Sequence, residues 1–148
     1  MLAEAAAAET RSCLADPDHV AELDGWIERT GWAWKIPADV VLRARVCVAE
    51  LAANLLEHGR ERPEGDEFTV TLRDNGTGLE IDVNDTGRAF DPTAHAGGTT
   101  SAGGLGGRGL RLLRAYAAAM SYRRDGGHNT LCLRVAPAQR GAGSGPPS

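Results

Sequence analysis

The sequence predicts an α+β fold in which helices cover one face of a sheet. Three observations carry this prediction. Two segments repeat apolar residues at helical spacing, two hairpins alternate apolar and polar residues around glycine turns, and seven of the 19 glycines fall between Gly97 and Gly109. The glycine-dense stretch cannot be ordinary core, and it divides the chain. With 148 residues, a single domain with its own core is expected.

The first helix opens at Asp16-Pro17, an N-cap followed by proline at the first helical position. Val20, Leu23, Ile27 and Thr30 then give a modest stripe, with Gly31 as the expected stop. The second helix opens at Pro37. Val41, Ala44, Val48, Leu51 and Leu55 step by 3, 4, 3 and 4 residues, and Gly59 ends it. Strands follow at Phe68, Val70 and Leu72 and at Leu79, Ile81 and Val83, joined by Asn75-Gly76-Thr77-Gly78. Leu110, Leu113, Ala117 and Met120 mark a third helix. A second hairpin turns at Asp125-Gly126-Gly127 and continues through Leu131, Leu133 and Val135. The domain organisation reads as a flexible N-terminus over 1–10, a folded domain over 11–136 and a disordered Pro/Gly/Ser/Ala-rich tail over 137–148.

Composition excludes several classes. The formal charge of −4 gives no electrostatic reason to expect direct binding of nucleic acid or of an anionic membrane. No apolar run reaches the ~20 residues of a membrane span, and the first residues lack the basic region of a signal peptide. Cys13, Cys47 and Cys132 form neither a disulfide framework nor a zinc motif, and scattered thiols fit a reducing cytoplasm. Trp26, Trp32 and Trp34 read either as core or as a docking surface.

Four constellations remain. Glu50, Asn54 and His58 repeat every four residues, about 40° apart per step, and are placed opposite the Val48/Leu51/Leu55 stripe. They read as a solvated face or as a ligand face. In the second reading Asn54 completes the oxygen shell of a phosphate-held Mg²⁺, and Glu50 takes a proton from an attacking hydroxyl. Asp85-Thr86-Gly87 at a strand end is a turn, or a carboxylate aimed at the amino group of a flat ligand. The run Gly103-Gly104-Leu105-Gly106-Gly107-Arg108-Gly109 feeds a helix start and offers N–H groups and a positive dipole end to phosphate; the other reading is a linker. Gly127-His128-Asn129-Thr130-Leu131 is a hairpin turn, or it brings the Thr130 hydroxyl beside Asp85.

The order of these pieces is more specific than any one of them, and it resembles the Bergerat-fold (GHKL) ATPases. Glu50-Leu51-Ala52-Ala53-Asn54 looks like that family's N box, Asp85-Thr86-Gly87 its adenine-binding box, Gly104-Leu105-Gly106 running into Leu110 its second glycine box, and Asn129-Thr130-Leu131 its last motif. Within the superfamily the chain is similar to bacterial anti-sigma-factor serine/threonine kinases. The resemblance implies a two-layer sandwich with a mixed sheet and two cofactors, ATP and Mg²⁺. It implies ATP contacts from Asn54, Asp85, Gly87, Gly104, Leu105, Gly106, Gly107, Arg108, Gly109 and Thr130, with Asn54 on the metal and Glu50 as catalytic base. It further implies two partners, a sigma factor and a small phosphoacceptor anti-sigma antagonist, and leaves a homodimer open. Ala89 departs from the pattern, standing where the adenine-binding box has its second glycine. That departure keeps an alternative in view: a non-catalytic or nucleotide-free module that acts by sequestering a partner.

Overall fold

A computed structural model describes residues 7–59, 67–87 and 107–138, with backbone alone over 56–59 and 107–110. Among these residues the elements run β1 (Ala8–Leu14), α1 (Pro17–Ala33), α2 (Ala38–Gly59), β2 (Glu67–Asp74), β3 (Leu79–Asp85), α3 (Gly107–Tyr116), β4 (Ala119–Asp125) and β5 (His128–Val135). The strands form one sheet in the order β1-β2-β3-β5-β4. The α+β class holds, but the mixed sheet does not: all four pairings are antiparallel. Both hairpins pair in place, and β5 runs back beside β3, so no parallel neighbour arises.

The sheet has one apolar face. Phe68, Val70 and Leu72 of β2, Leu79, Ile81 and Val83 of β3 and Leu131, Leu133 and Val135 of β5 are all buried on it. The opposite face carries Thr10 bonded to Thr71, Arg73 paired with Asp82, and Thr130 bonded to Asn84. This alternation is the signature of an antiparallel sheet covered on one side. The helices supply the cover. Leu23, Trp26 and Ile27 of α1, Val40, Ala44, Cys47, Val48, Leu51, Ala52 and Leu55 of α2, and Leu113 of α3 close one core with the sheet.

Asp16 caps α1 as expected: its carboxylate accepts from the His19 N–H at 2.9 Å, with Pro17 in the first turn. Gly31 is not the stop. The helix runs to Ala33 and closes with the Ile36 N–H on the Gly31 carbonyl and the Lys35 N–H on the Trp32 carbonyl, Lys35 taking φ 57. That paired arrangement is a Schellman motif. Gly31 is required for another reason: a Cβ there would lie 2.5 Å from Cγ2 of Val41, where α1 crosses α2. An Arg45 ion pair with Asp24 and another with Glu28 tie the same two helices.

The third helix ends at Tyr116, so Ala117 leaves it and Met120 belongs to β4, where it opposes Leu133. β1 is unforeseen and begins at Ala8, inside the stretch expected to be flexible. Arg43 of α2 donates to the Tyr116 and Ala136 carbonyls, and Ala138 N–H donates to Asp39. The ends of α3 and β5 are thereby held against α2. Trp26 is buried and Trp34 packs on the core, whereas Trp32 is 75% exposed. Among the described residues no helix is long and apolar enough to cross a membrane.

Candidate nucleotide site

The long helix α2 presents the first group of candidate residues. Its buried stripe is wider than the sequence stripe because Val40, Cys47 and Ala52 join it. The exposed back of the helix carries Leu42, Ala49 and Ala53, and Glu50 and Asn54 lie on the shoulder between back and core, both half-buried. They are therefore not opposite the apolar stripe. The Asn54 side-chain oxygen is sealed from solvent and has no hydrogen-bond partner. An acceptor buried in that state costs about 1–3 kcal/mol, and it calls for a donor or a cation that the described residues do not supply. A single amide oxygen suits Mg²⁺, which keeps few protein ligands and takes the rest from phosphates and water. No group of three or more His, Cys, Asp or Glu that could hold a metal occurs among the described residues. The lone Asn54 oxygen would fit an ion brought by phosphate.

The second group comes from the sheet. α2 packs on β3 and β5, the strands whose ends carry Asp85 and Asn129. Asp85 ends β3 on the same face as Val83, and the Gly87 N–H donates to its Oδ1 at 2.8 Å. Asn129 lies directly opposite Asp85 in the pairing of β3 with β5. Its Nδ2 donates to Asp85 Oδ1 at 3.1 Å and to the Gly87 carbonyl at 3.2 Å. Asn129 is 5% exposed, one of two buried polar side chains among the described residues.

The pairing of Thr130 with Asp85 is corrected by the register. Thr130 opposes Asn84, and its hydroxyl donates to the Asn84 side chain at 2.6 Å on the outer face of the sheet. Strand side chains alternate between faces, so Asn129, two residues before Leu131, shares the helix-covered face, and Thr130 does not. The signal was present in the sequence as that spacing of two. Tyr122 and Arg124 of β4 join the same patch, with Tyr122 OH donating to Asn129 Oδ1 at 2.5 Å and Arg124 at 2.9 Å. Neither was singled out from the sequence.

Gly107, Arg108 and Gly109 fall in the first turn of α3, where only backbone is described, so the Arg108 side chain lies outside what is described. The His58 side chain does as well. Gly104, Leu105, Gly106 and Ala89 lie outside the described residues altogether. The three cysteines are free. Burial pushes the Cys47 thiol up to about 12, and burial together with Asp82 pushes Cys132 up to about 11, so neither is a nucleophile at neutral pH.

Comparison with known proteins places the chain in a family. The family model described as histidine kinase-like ATPase domain matches residues 13–135, from the end of β1 to the end of β5. The chain is 31% identical over 121 residues to the serine/threonine-protein kinase BtrW of Bordetella bronchiseptica, a match covering 78% of each protein. Among solved structures, the RsbU and RsbW domains of a Mycobacterium tuberculosis protein superpose with a TM-score of 0.60 at 13% identity. That match covers 88% of this chain and 33% of the longer one, and it shows a shared fold.

Proposed function

The chain belongs to the histidine kinase-like ATPase domain family, and from that premise we propose that it is an ATP-binding anti-sigma regulatory factor of the cytoplasm. In this reading it is a protein serine/threonine kinase that phosphorylates a small antagonist protein and so controls a sigma factor by partner switching. The observation that carries the reading is the buried, partnerless Asn54 oxygen on the helix that packs against the strands bearing Asp85 and Asn129. The kinase named among its relatives supports the reaction type, and the resemblance to anti-sigma kinases supports the partners.

The residues divide the work. Asp85 accepts a hydrogen bond from the adenine amino group, and Asn129 holds that carboxylate in place. Asn54 is the ligand for Mg²⁺, which when bound neutralises charge on the phosphates. Backbone N–H groups around Gly104, Gly106 and the α3 start hold the phosphate tail. Glu50, four residues before Asn54, accepts the proton of the antagonist's Ser or Thr hydroxyl. The hydroxyl oxygen bonds to the γ-phosphorus, the bond to the β–γ bridging oxygen breaks, and ADP leaves. Such transfer is mostly positioning and electrostatics. The new phosphate carries nearly two negative charges at neutral pH and weakens docking on an acidic or apolar surface.

The test incubates the protein with γ-labelled ATP, Mg²⁺ and a small phosphoacceptor antagonist protein. Label should appear on a serine or threonine of the antagonist, and Glu50→Gln should cut the rate at least ~100-fold while ATP still binds, the scale of a lost general base. Equal transfer by Glu50→Gln removes Glu50 from the mechanism, and ATP binding without any transfer supports the sequestering module instead.

A further inference from the structure

Three strands place interacting side chains in one row on the helix-covered face: Arg124 of β4 opposes Asn129 of β5, which opposes Asp85 of β3. Tyr122, two residues before Arg124, reaches the same amide. The four hydrogen bonds described at Asn129 agree with one another in direction. Its Oδ1 accepts from the Tyr122 hydroxyl and from Arg124, and its Nδ2 donates to Asp85 and to the Gly87 carbonyl. Turning the amide over would put N–H groups against two donors and an oxygen against two acceptors. Arg124 also donates to the Gly87 carbonyl at 2.9 Å, so the turn after Asp85 is held from two sides. Asp85 Oδ1 in turn receives the Gly87 N–H and Asn129 Nδ2. With Asn129 buried at its centre and its other members at the edge of the core, a network with its directions matched in this way restrains the groups it joins.

We infer that Tyr122 and Arg124 are positioning residues: acting through Asn129, they hold the Asp85 carboxylate in the one orientation that accepts from an adenine amino group and rejects the carbonyl oxygen of guanine. This inference rests on the reading of Asp85 as the base-binding residue. Its physical basis is that an ionised carboxylate only accepts hydrogen bonds. Adenine presents an amino donor where guanine presents an acceptor, so a fixed carboxylate attracts one and repels the other. A carboxylate anchored through Oδ1 by two donors cannot turn away from guanine without breaking both bonds. Loosening the anchor lets it swing aside, and the penalty against guanine shrinks. A network that merely pins the hairpin would change stability and leave base choice alone.

The test measures dissociation constants for ATP and GTP, both with Mg²⁺, for the wild-type chain, Tyr122→Phe and Arg124→Lys, together with thermal melting of each. Tyr122→Phe keeps the ring that packs on the core and removes the hydroxyl. Arg124→Lys keeps the charge and replaces a planar fork by a point donor. The expected result is a folded protein in which the GTP/ATP ratio of dissociation constants falls at least fivefold, with GTP binding unchanged or tighter. A folded Tyr122→Phe with the wild-type ratio overturns the inference, and Arg124→Lys provides the same comparison if the phenylalanine variant does not fold. A wild-type chain that binds ATP and GTP equally also overturns it, while leaving ATP binding in place. A wild-type chain that binds neither overturns the assignment of Asp85, and the inference with it.

Discussion

Replacing Asn54 by alanine should make the empty protein more stable while removing the magnesium requirement of nucleotide binding. The Asn54 oxygen is buried without a partner, and deleting it recovers about 1–3 kcal/mol of desolvation. Alanine is also the better helix former, by up to about 0.7 kcal/mol. Against this, the vacated space is about the size of a water, roughly 30 Å³, and at ~24 cal/mol per Å³ it costs roughly 0.7 kcal/mol. The balance is a gain of about 0.3–3 kcal/mol, or a rise in Tm of roughly 1–9 °C for a chain of this size. Chemical denaturation and thermal melting of the nucleotide-free protein measure the first half. The second half compares ATP affinity with Mg²⁺ and with a chelator. The wild-type chain should bind at least ~10-fold tighter with magnesium, equivalent to about 1.4 kcal/mol, and Asn54→Ala should show a ratio near one. A destabilised Asn54→Ala, or one in which magnesium tightens ATP as much as in the wild type, refutes the reasoning that this oxygen is kept for a cation.

The remaining predictions concern the helix crossing, an acidic group on the sheet and the base site. Gly31→Ala gains helix propensity of about 0.5–1 kcal/mol but drives a methyl into Val41, and overpacking of that kind costs about 1–3 kcal/mol; a net loss near 1 kcal/mol is expected in urea denaturation. Adding Val41→Ala should relieve the clash, so that the double-mutant cycle gives a coupling of about 1 kcal/mol or more, and additive effects would count against the close crossing. At Asp82, burial raises the carboxyl's pKa, but hydrogen bonds from Cys132 and Arg73 and the charges of Arg73 and Arg123 outweigh it and hold the group below its usual value. A lowered folded value means that Asp82 contributes stability above its unfolded value near 3.9 and loses it as pH falls through the lower folded value. Asp82→Asn should flatten the loss of stability below about pH 4, and an unchanged acid limb would disprove this. Asp85→Asn should weaken ATP about 10-fold, the scale of one hydrogen bond to a charged group, and weaken GTP less; equal losses would argue against adenine recognition there.

Much of this architecture was legible from local signals. The α1 cap, the α2 stripe and both glycine turns lie within a few residues of the groups they organise, so spacing alone reports them. Features set by distant contacts were not legible. β1 shows no apolar alternation because it is an edge strand in which only Cys13 is buried. Gly31 looks like a helix stop because a cap and a close crossing both favour glycine near a helix end, and only the approach of Val41 distinguishes them. In the proposed site, Glu50, Asn54 and Asp85 are candidates by residue type and spacing. Asn129 lost to Thr130 because residue type outweighed strand parity, although counting back two from Leu131 selects Asn129. Tyr122 and Arg124 required the register of β4 on β5, which no single segment reveals.

One nucleotide bridging the shoulder of α2 and the ends of β3 and β5 is the central claim, and a crystal structure with a non-hydrolysable ATP analogue and Mg²⁺ tests it most directly. The account predicts the metal on the Asn54 oxygen and the adenine amino group on Asp85 beside Asn129. Analogue bound elsewhere, or bound with Asn54 or Asp85 untouched, contradicts it.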